Sequence, residues 1–257
     1  MRRCYSLLGL CLPSSRWSEF HVLPPSDPIF NLQIGSLRKL KPYRDLHYTQ
    51  RTLPSLSTFR LAYRCIKLWA IQHGIYSAKF GYLGGVQITL MLSVIHKRIA
   101  YEFGVVSAGD LITIFFHHYA RFEWANEMVY DSLFHKNVPR YHRSSREPMV
   151  VLGFHTPNSN IAHTSTVPGV HILAKEFELA DTRLSDPAVT WDSFFTPFGD
   201  TESTCELTAG AANFLNTYGS YAKIDINFWG RSSAKGKSLV GWLESRALSL
   251  VVGKCAT

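Results

Sequence analysis

Residues 58–86 constrain the fold of this 257-residue chain more than any other stretch. Arg60, Arg64 and Lys67 recur at steps of four and three residues, which places them on one face of a predicted α-helix. Apolar residues recur at similar steps on another face, which we predict to be buried: Leu61, Ala62, Cys65, Ile66 and Trp69. The pattern therefore predicts a helix that buries one stripe and presents three cations on another.

The ends of this helix and the start of the next one are also marked. Ser57 or Thr58 can cap its first turn, and Gly74 can supply the left-handed residue that follows its last turn. Gly84-Gly85 then precedes residues 86–95, an apolar run long enough for a buried helix and too short for a membrane span. Glycines at a helix start let an anion approach the free N–H groups at the positive end of the helix dipole.

Together these features predict a clamp for a polyphosphate, with Tyr76 and Tyr82 near enough to stack on a base or bond a phosphate oxygen. Like charges at helical spacing repel by roughly a few tenths of a kcal/mol per pair, and an anionic partner relieves that repulsion. Two other interpretations stay open. The cations can form a solvated face, and the glycines can serve close packing between helices.

The runs Phe59–Ala70, Gly74–Ser77 and Phe80–Val86 resemble the central domain of eukaryotic nuclear poly(A) polymerases. The resemblance continues through shorter matches downstream: Phe122-Glu-Trp124, Arg146-Glu-Pro-Met-Val-Val151, residues 156–164 and Leu239-Val-Gly-Trp-Leu-Glu-Ser-Arg246. It covers roughly residues 35–257, and the ordered set of matches is far more specific than any one motif.

The resemblance implies a multi-domain protein. We expect an irregular leader over 1–34, a mostly α-helical central domain over 35–140, and an RNA-binding domain over 146–257. The last of these is expected to have an α+β fold similar to an RNA-recognition motif (ferredoxin-like). The sequence there predicts strands at 148–154 and 222–229 and helices at 170–179 and 237–251.

The resemblance also implies binding residues. Lys67 and Tyr76 match family residues that contact the ATP triphosphate, and Gly85-Val86 matches the pair that lines the adenine side of the pocket. Two expected polar residues are missing, because Ile71 stands where the family has a second lysine and Ala78 where it commonly has Asn. Each lost contact to a charged group costs about 1.5–3 kcal/mol, so affinity for ATP or choice of base is expected to differ from the family's.

The chemistry of the family needs Mg²⁺ or Mn²⁺, held by carboxylates on an N-terminal nucleotidyltransferase domain. Here 34 residues precede the resemblance, and they include Glu19 and Asp27 but no Asp-x-Asp pair. We therefore assign no catalytic residue and no metal ligand. We expect that these 257 residues alone do not add adenylates to RNA.

The charge of the chain agrees with an RNA partner. The formal net charge is +8, and residues 35–67 hold eight cations against Asp45: Arg38, Lys39, Lys41, Arg44, Arg51, Arg60, Arg64 and Lys67. Such a cluster is predicted to bind phosphates with strong salt dependence. The candidate RNA contacts are Arg60, Arg64, Lys235 and Lys237, and a solubilising surface is the alternative.

Three further motifs are interpreted as structural. The stretch 230–238 resembles a phosphate-binding loop, but five residues separate its glycines where that motif has four. Asp225-Ile-Asn227 has a single carboxylate, and His117-His118 has no third ligand at zinc-like spacing. Trp191, Phe194 and Phe195 are predicted to be core residues.

Three functions remain open at this stage. The first is a poly(A) polymerase that acts in the nucleus, binds ATP and an RNA 3′ end, and is represented here without its metal-binding domain. The second is a non-catalytic module that binds RNA or nucleotide, or a truncated pseudoenzyme. The third is a decaying duplicate without function. No membrane partner is expected.

Overall fold

Helices make up most of the chain that the structure describes. The computed structural model describes residues 5–7, 10–12, 34–135, 137–155, 157–195, 225, 227 and 232–253. Its helices are α1 Ile34–Thr52, α2 Leu56–Gln72, α3 Gly85–Phe103, α4 Ala108–Ala120, α5 Val167–Leu184, α6 Trp191–Phe195 and α7 Ser233–Gly253, with a 3₁₀-helix at Ala78–Phe80. Two short strands, β1 Tyr5–Leu7 and β2 Leu10–Leu12, pair antiparallel. The mostly helical fold expected over 35–140 is confirmed in the described residues of that range.

Helix α2 forms where it was predicted, but its start and its buried face both differ. Ser55, rather than Ser57 or Thr58, is the N-cap, and its side chain accepts a hydrogen bond from the amide of Thr58. Leu61 is 54% exposed, so its assignment to the buried face was wrong. The helix is rotated so that Phe59 takes the place of Leu61, and the buried residues are Phe59, Ala62, Ile66, Trp69 and Ala70. Cys65 lies at the edge, half-buried.

Helices α3 and α4 follow α2 in the sequence. The predicted apolar run lies inside α3, and Ser107 caps α4 by accepting a hydrogen bond from the amide of Asp110. No single described helix is long and apolar enough to cross a membrane, and only the bent pair α3 with α4, at 114°, passes that test by length and composition.

One aromatic cluster joins helices from distant parts of the sequence. The ring of Trp69 in α2 lies 4.6 Å from that of Phe116 in α4 and 5.6 Å from that of Phe177 in α5, centroid to centroid. The helix predicted at 170–179 is confirmed within α5. This core includes residues from both sides of 140–146, so the segments on either side of the predicted domain boundary pack together. The division into domains stays a prediction.

The predicted strand at 148–154 is present only as isolated bridges. Val151 pairs with Val129 in parallel, and Leu152 pairs with Asn160 in antiparallel orientation. In the predicted strand at 222–229, Asp225 and Asn227 are exposed and outside any strand, and its other residues lie outside the described part of the chain. The α+β RNA-recognition fold expected over 146–257 therefore stays a prediction.

Helix α6 contributes Phe194 to the hydrophobic core. Phe194 is buried as predicted, but Trp191 is 44% exposed and Phe195 is half-buried. The interpretation of Trp191 as a core residue was therefore wrong. Its indole instead covers the start of α4, where a Cβ on Gly109 would lie 3.2 Å from the Trp191 ring.

A buried ion pair links α3 to the loop that follows α4. Lys97 Nζ lies 2.8 Å from Asp131 Oδ2, and the two side chains are 4% and 2% exposed. The ammonium also lies 4.3 Å from the centroid of the Tyr48 ring and 4.6 Å from that of Phe154. Burial lowers the pKa of Lys97, and the hydrogen bond and charge of Asp131 oppose that shift. The cation is thus held by one carboxylate and two ring faces, with little solvent.

A second buried polar cluster fastens α1 to residues 153–159. Asp45 Oδ1 accepts the backbone N–H of His155 at 3.0 Å and lies 2.8 Å from its Nδ1. Lys41 Nζ lies 3.6 Å from Asp45 Oδ2, and burial lowers the pKa of Lys41 while Asp45 opposes the shift. A Cβ on Gly153 would overlap Asp45 Oδ2, so only glycine lets the backbone at residue 153 approach α1 this closely.

Candidate functional site

The segment between α2 and α3 is folded into a compact turn by its own backbone. Gly74 has φ 69°, the left-handed conformation predicted for the residue after α2. The amide of Leu83 then donates to Ile75 O at 3.1 Å, and that of Tyr82 donates to Ser77 O at 3.1 Å. Ile75 and Leu83 are both buried and anchor the turn. The turn brings the residue after Ile75 back beside the start of α3.

A distant segment supports this turn from the other side. Thr164 Oγ1 donates to the carbonyl of Ala78 at 2.8 Å, across 86 residues of sequence. Gly81 has φ 82°, and a Cβ there would lie 2.8 Å from the carbonyl oxygen of Thr164. Both the conformation and the close approach require glycine at position 81. The turn is therefore positioned by residues 164–166 as well as by its own hydrogen bonds.

The start of α3 presents backbone donors that have no acceptor within the helix. The amide of Ile88 is the first that bonds inside the helix, to Gly84 O at 3.0 Å. The amides of Gly85, Val86 and Gln87 therefore have no acceptor within the helix. The amide of Gly84 donates to the side-chain oxygen of Gln87, which is buried. Val86 is 57% exposed, so this helix end faces solvent, and its dipole favours a bound anion.

The four residues assigned to nucleotide binding lie together. Lys67 Nζ, on α2, is 5.1 Å from the centroid of the Tyr76 ring. A Cβ on Gly85 would lie 3.3 Å from the Tyr76 hydroxyl, so the tyrosine points at the start of α3. Val86 is the next residue along that helix. An ammonium, a phenol and the first amides of a helix thus converge, which is a donor set suited to phosphate oxygens.

Tyr63 belongs to the same site, although the sequence analysis did not select it. Its hydroxyl lies 3.0 Å from the position of a Cβ on Gly85, and the Tyr76 hydroxyl lies 3.3 Å from the same point. Burial, and then the neighbouring Tyr76, raise the pKa of Tyr63. Helical spacing could have found this residue, because Tyr63 is one turn before Lys67 on the same helix.

The two departures from the family pattern both lie at this site. Ile71, one turn after Lys67, is 51% exposed. Ala78 is exposed in the 3₁₀-helix, and its Cβ would be 2.9 Å from a Cβ on Gly84. The rim of the site is therefore apolar at the two positions where polar side chains were expected.

The predicted basic cluster is only partly a surface feature. Lys41 and Arg44 are 4% and 8% exposed, so counting them among the surface cations was wrong. Their burial in the folded chain lowers the pKa of both side chains. Arg60 and Arg64 are exposed on α2, and neither has a carboxylate within 4.0 Å among the residues that the structure describes.

The candidate cations of the C-terminal segment lie at the start of α7. Lys235 and Lys237 are exposed in its first turns, and the helix begins at Ser233, before the predicted start at Lys237. Helix α7 lies beside the 3₁₀-helix that carries Ala78. The structure therefore places these two cations in a helix that borders the same turn as Tyr76.

No group of three or more His, Cys, Asp or Glu side chains suited to a metal ion occurs in the described ranges. His117 lies 3.2 Å from Asp181 Oδ1, and His118 Nδ1 lies 3.4 Å from an Arg98 nitrogen. Burial, then Arg98 and His117, lower the pKa of His118 to about 4, so it is neutral at pH 7. The histidine pair is thus held by protein groups on both sides.

Comparison with known proteins agrees with these features. A family model described as the poly(A) polymerase central domain matches residues 58–197, which include most of α2, all of α3–α6 and the whole turn that carries Tyr76. The chain belongs to the poly(A) polymerase family, and the resemblance to the central domain is confirmed.

Individual relatives are distant in sequence. The chain is 26% identical over 238 residues to nuclear poly(A) polymerase 1 of Arabidopsis thaliana, an alignment that covers 86% of this chain and 30% of that protein. It is 22% identical over 231 residues to a poly(A) polymerase of Dictyostelium discoideum, covering 86% and 26%. The chain thus spans less than a third of the length of these relatives.

Proposed function

We propose that this chain supplies the nucleotide-facing and RNA-binding parts of a polynucleotide adenylyltransferase, which transfers AMP from ATP to an RNA 3′ end in the nucleus. The observation that carries the proposal is that Lys67 lies against the Tyr76 ring while the Tyr76 hydroxyl lies beside the start of α3, whose first amides have no acceptor within the helix. Membership of the poly(A) polymerase family supports the choice of reaction, and the name of the relative nuclear poly(A) polymerase 1 supports the location.

Each group at the site has a role in holding the nucleotide. Lys67 places a positive charge beside the polyphosphate, and Tyr76 donates its hydroxyl proton to a phosphate oxygen. The amides of Gly85 and Val86 complete the anion site, and the exposed Val86 side chain offers an apolar contact to the base. Mg²⁺ or Mn²⁺ would activate the RNA hydroxyl and neutralise the leaving pyrophosphate, but the described residues contain no fitting ligand group.

One specific observation favours the second candidate, a binding module without catalytic activity. Ile71 and Ala78 make the rim apolar at two positions where the family has polar side chains. A site that holds nucleotide or RNA without orienting it for transfer does not need these contacts. Both candidates require binding of a polyphosphate, so binding is the property to measure first.

Replacing Lys67 with Met is expected to weaken ATP binding by about tenfold or more, because the variant keeps the alkyl stem and removes a charge-assisted contact worth about 1.5–3 kcal/mol. Isothermal titration calorimetry with ATP and with adenosine measures the effect, and adenosine binding is expected to change little. Lys175, exposed on α5, provides the matched variant K175M, which should bind ATP as the original chain does. Absence of ATP binding in the original chain, or equal binding by K67M, would contradict the proposal.

The RNA partner is tested separately at Arg60 and Arg64. The double variant R60Q/R64Q is expected to bind single-stranded RNA more weakly and to reduce the slope of log K against log salt by about 1.4, since each phosphate contact contributes about 0.7. Fluorescence anisotropy at several salt concentrations gives the slope. Arg146, exposed between α4 and α5, supplies the control R146Q. An unchanged slope in R60Q/R64Q would remove these arginines from the RNA interface.

A further inference from the structure

We propose that Tyr63 is a positioning residue for nucleotide binding: its hydroxyl donates to the Tyr76 hydroxyl oxygen and so directs the proton of Tyr76 at the polyphosphate. This inference rests on the proposed function, because it assumes that a nucleotide polyphosphate binds at the start of α3. It adds a residue that the family resemblance did not supply. Tyr63 acts through Tyr76 and does not itself contact the ligand.

The positions of the two hydroxyls carry the proposal. They come from different segments, α2 and the turn after it, and they meet above Gly85, at 3.0 and 3.3 Å from the place of a Cβ. Burial, and then the neighbouring Tyr76, raise the pKa of Tyr63, so the two hydroxyls influence each other at this position. A phenol has one proton to donate and lone pairs that accept. If Tyr63 donates, the proton of Tyr76 stays available for an acceptor at the helix start.

The surroundings of the pair fix both rings. Tyr63 is half-buried, and its ring stacks on that of Phe59 with centroids 6.4 Å apart and planes at 17°. The Tyr76 ring is bordered on one face by Lys67 Nζ. Because burial raises the pKa of Tyr63, its hydroxyl remains protonated and able to donate at neutral pH.

The same face of α2 explains why this contact is useful here. Tyr63, Lys67 and Ile71 are spaced by four residues and lie along one side of the helix. The position of Ile71 provides no cation for the phosphates. A fixed Tyr76 hydroxyl therefore carries a larger share of the polyphosphate binding, and Tyr63 is the group that fixes it.

Replacing Tyr63 with Phe in the whole chain tests the proposal, because the ring and its stacking on Phe59 are kept. ATP binding measured by calorimetry is expected to weaken about fivefold, the effect of one lost hydrogen bond between neutral groups, with adenosine binding unchanged. In a Y76F background the additional effect of Y63F is expected to vanish, since Tyr63 acts through Tyr76. Tyr101, 80% exposed on α3, gives the control Y101F, and melting temperatures show that all variants are folded.

The outcomes separate this inference from the proposed function. If the original chain binds ATP and Y63F binds it equally well, the inference is overturned and the proposed function stands. Equal losses for ATP and adenosine, or additive effects of Y63F and Y76F, would show a structural role and also overturn it. If the original chain binds no ATP, the proposed function fails and the inference fails with it.

Discussion

Replacing Asp131 with Asn is expected to lower the free energy of unfolding by about 3–5 kcal/mol, because it leaves the buried ammonium of Lys97 without a counter-charge. Asn keeps an acceptor for the amides of Leu133 and Phe134, which donate to Asp131 Oδ1, so the variant isolates the ion pair. Urea denaturation at pH 7 measures the loss. On α3, the exposed Glu102 supplies a carboxyl-to-amide control, E102Q, for which a change below about 0.5 kcal/mol is expected.

The pH dependence of D131N gives a second check of the same cause. Burial lowers the pKa of Lys97, and removal of Asp131 takes away the interaction that opposes this shift. The unfolded chain then binds more protons than the folded one between the lowered pKa and the ordinary value of 10.5, so stability rises with pH in that window. The loss in D131N should therefore be smaller at pH 9 than at pH 6. A loss that does not depend on pH, or a double variant K97M/D131N with fully additive losses, would contradict the ion-pair explanation.

Replacing Gly153 with Ala is expected to destabilise the chain by about 3 kcal/mol, through overpacking and displacement of a buried carboxylate. The new methyl group would overlap Asp45 Oδ2, which cannot move away cheaply because Asp45 is held by the amide and ring of His155. The measurement is again the free energy of unfolding in urea.

Gly35, in the same helix as Asp45, provides the matched control for G153A. A Cβ there meets nothing within 4 Å, so G35A is expected to be neutral or slightly stabilising through helix propensity. A G153A variant within about 0.5 kcal/mol of the original chain would show that the Asp45 cluster rearranges freely. The side chains of Lys41, Asp45 and His155 in this cluster are 5–8% exposed, so they have little space in which to rearrange.

The part of the site that sequence reasoning reached is local. Lys67, Tyr76 and Gly85 lie within 19 residues, and helical spacing plus one glycine turn are enough to bring them together. Tyr63 was within reach of the same reasoning, because it precedes Lys67 by one turn. One residue of the predicted buried face of α2 was wrong, because Leu61 was chosen and Phe59 is the buried residue. Both fit the helical periodicity, and only the packing partner decides between them.

The buried charges show what local patterns cannot supply. Asp45 meets His155 across 110 residues and Lys97 meets Asp131 across 34, and no spacing rule links partners at such separations. The sequence therefore predicted Lys41 to be a surface cation, whereas in the fold it is buried beside Asp45. Charges in a basic run are usually solvated, and the exceptions depend on tertiary contacts.

The hydrogen bond from Thr164 to Ala78 also has a consequence for the order of folding. It closes a loop of 86 residues, so the chain loses the conformational entropy of that loop before the bond contributes to stability. Contacts of high sequence separation form late compared with helices and turns. During synthesis, the turn that carries Tyr76 leaves the ribosome long before residue 164 does. The site is therefore expected to reach its final shape only after the segment between α4 and α5 has been made and has docked.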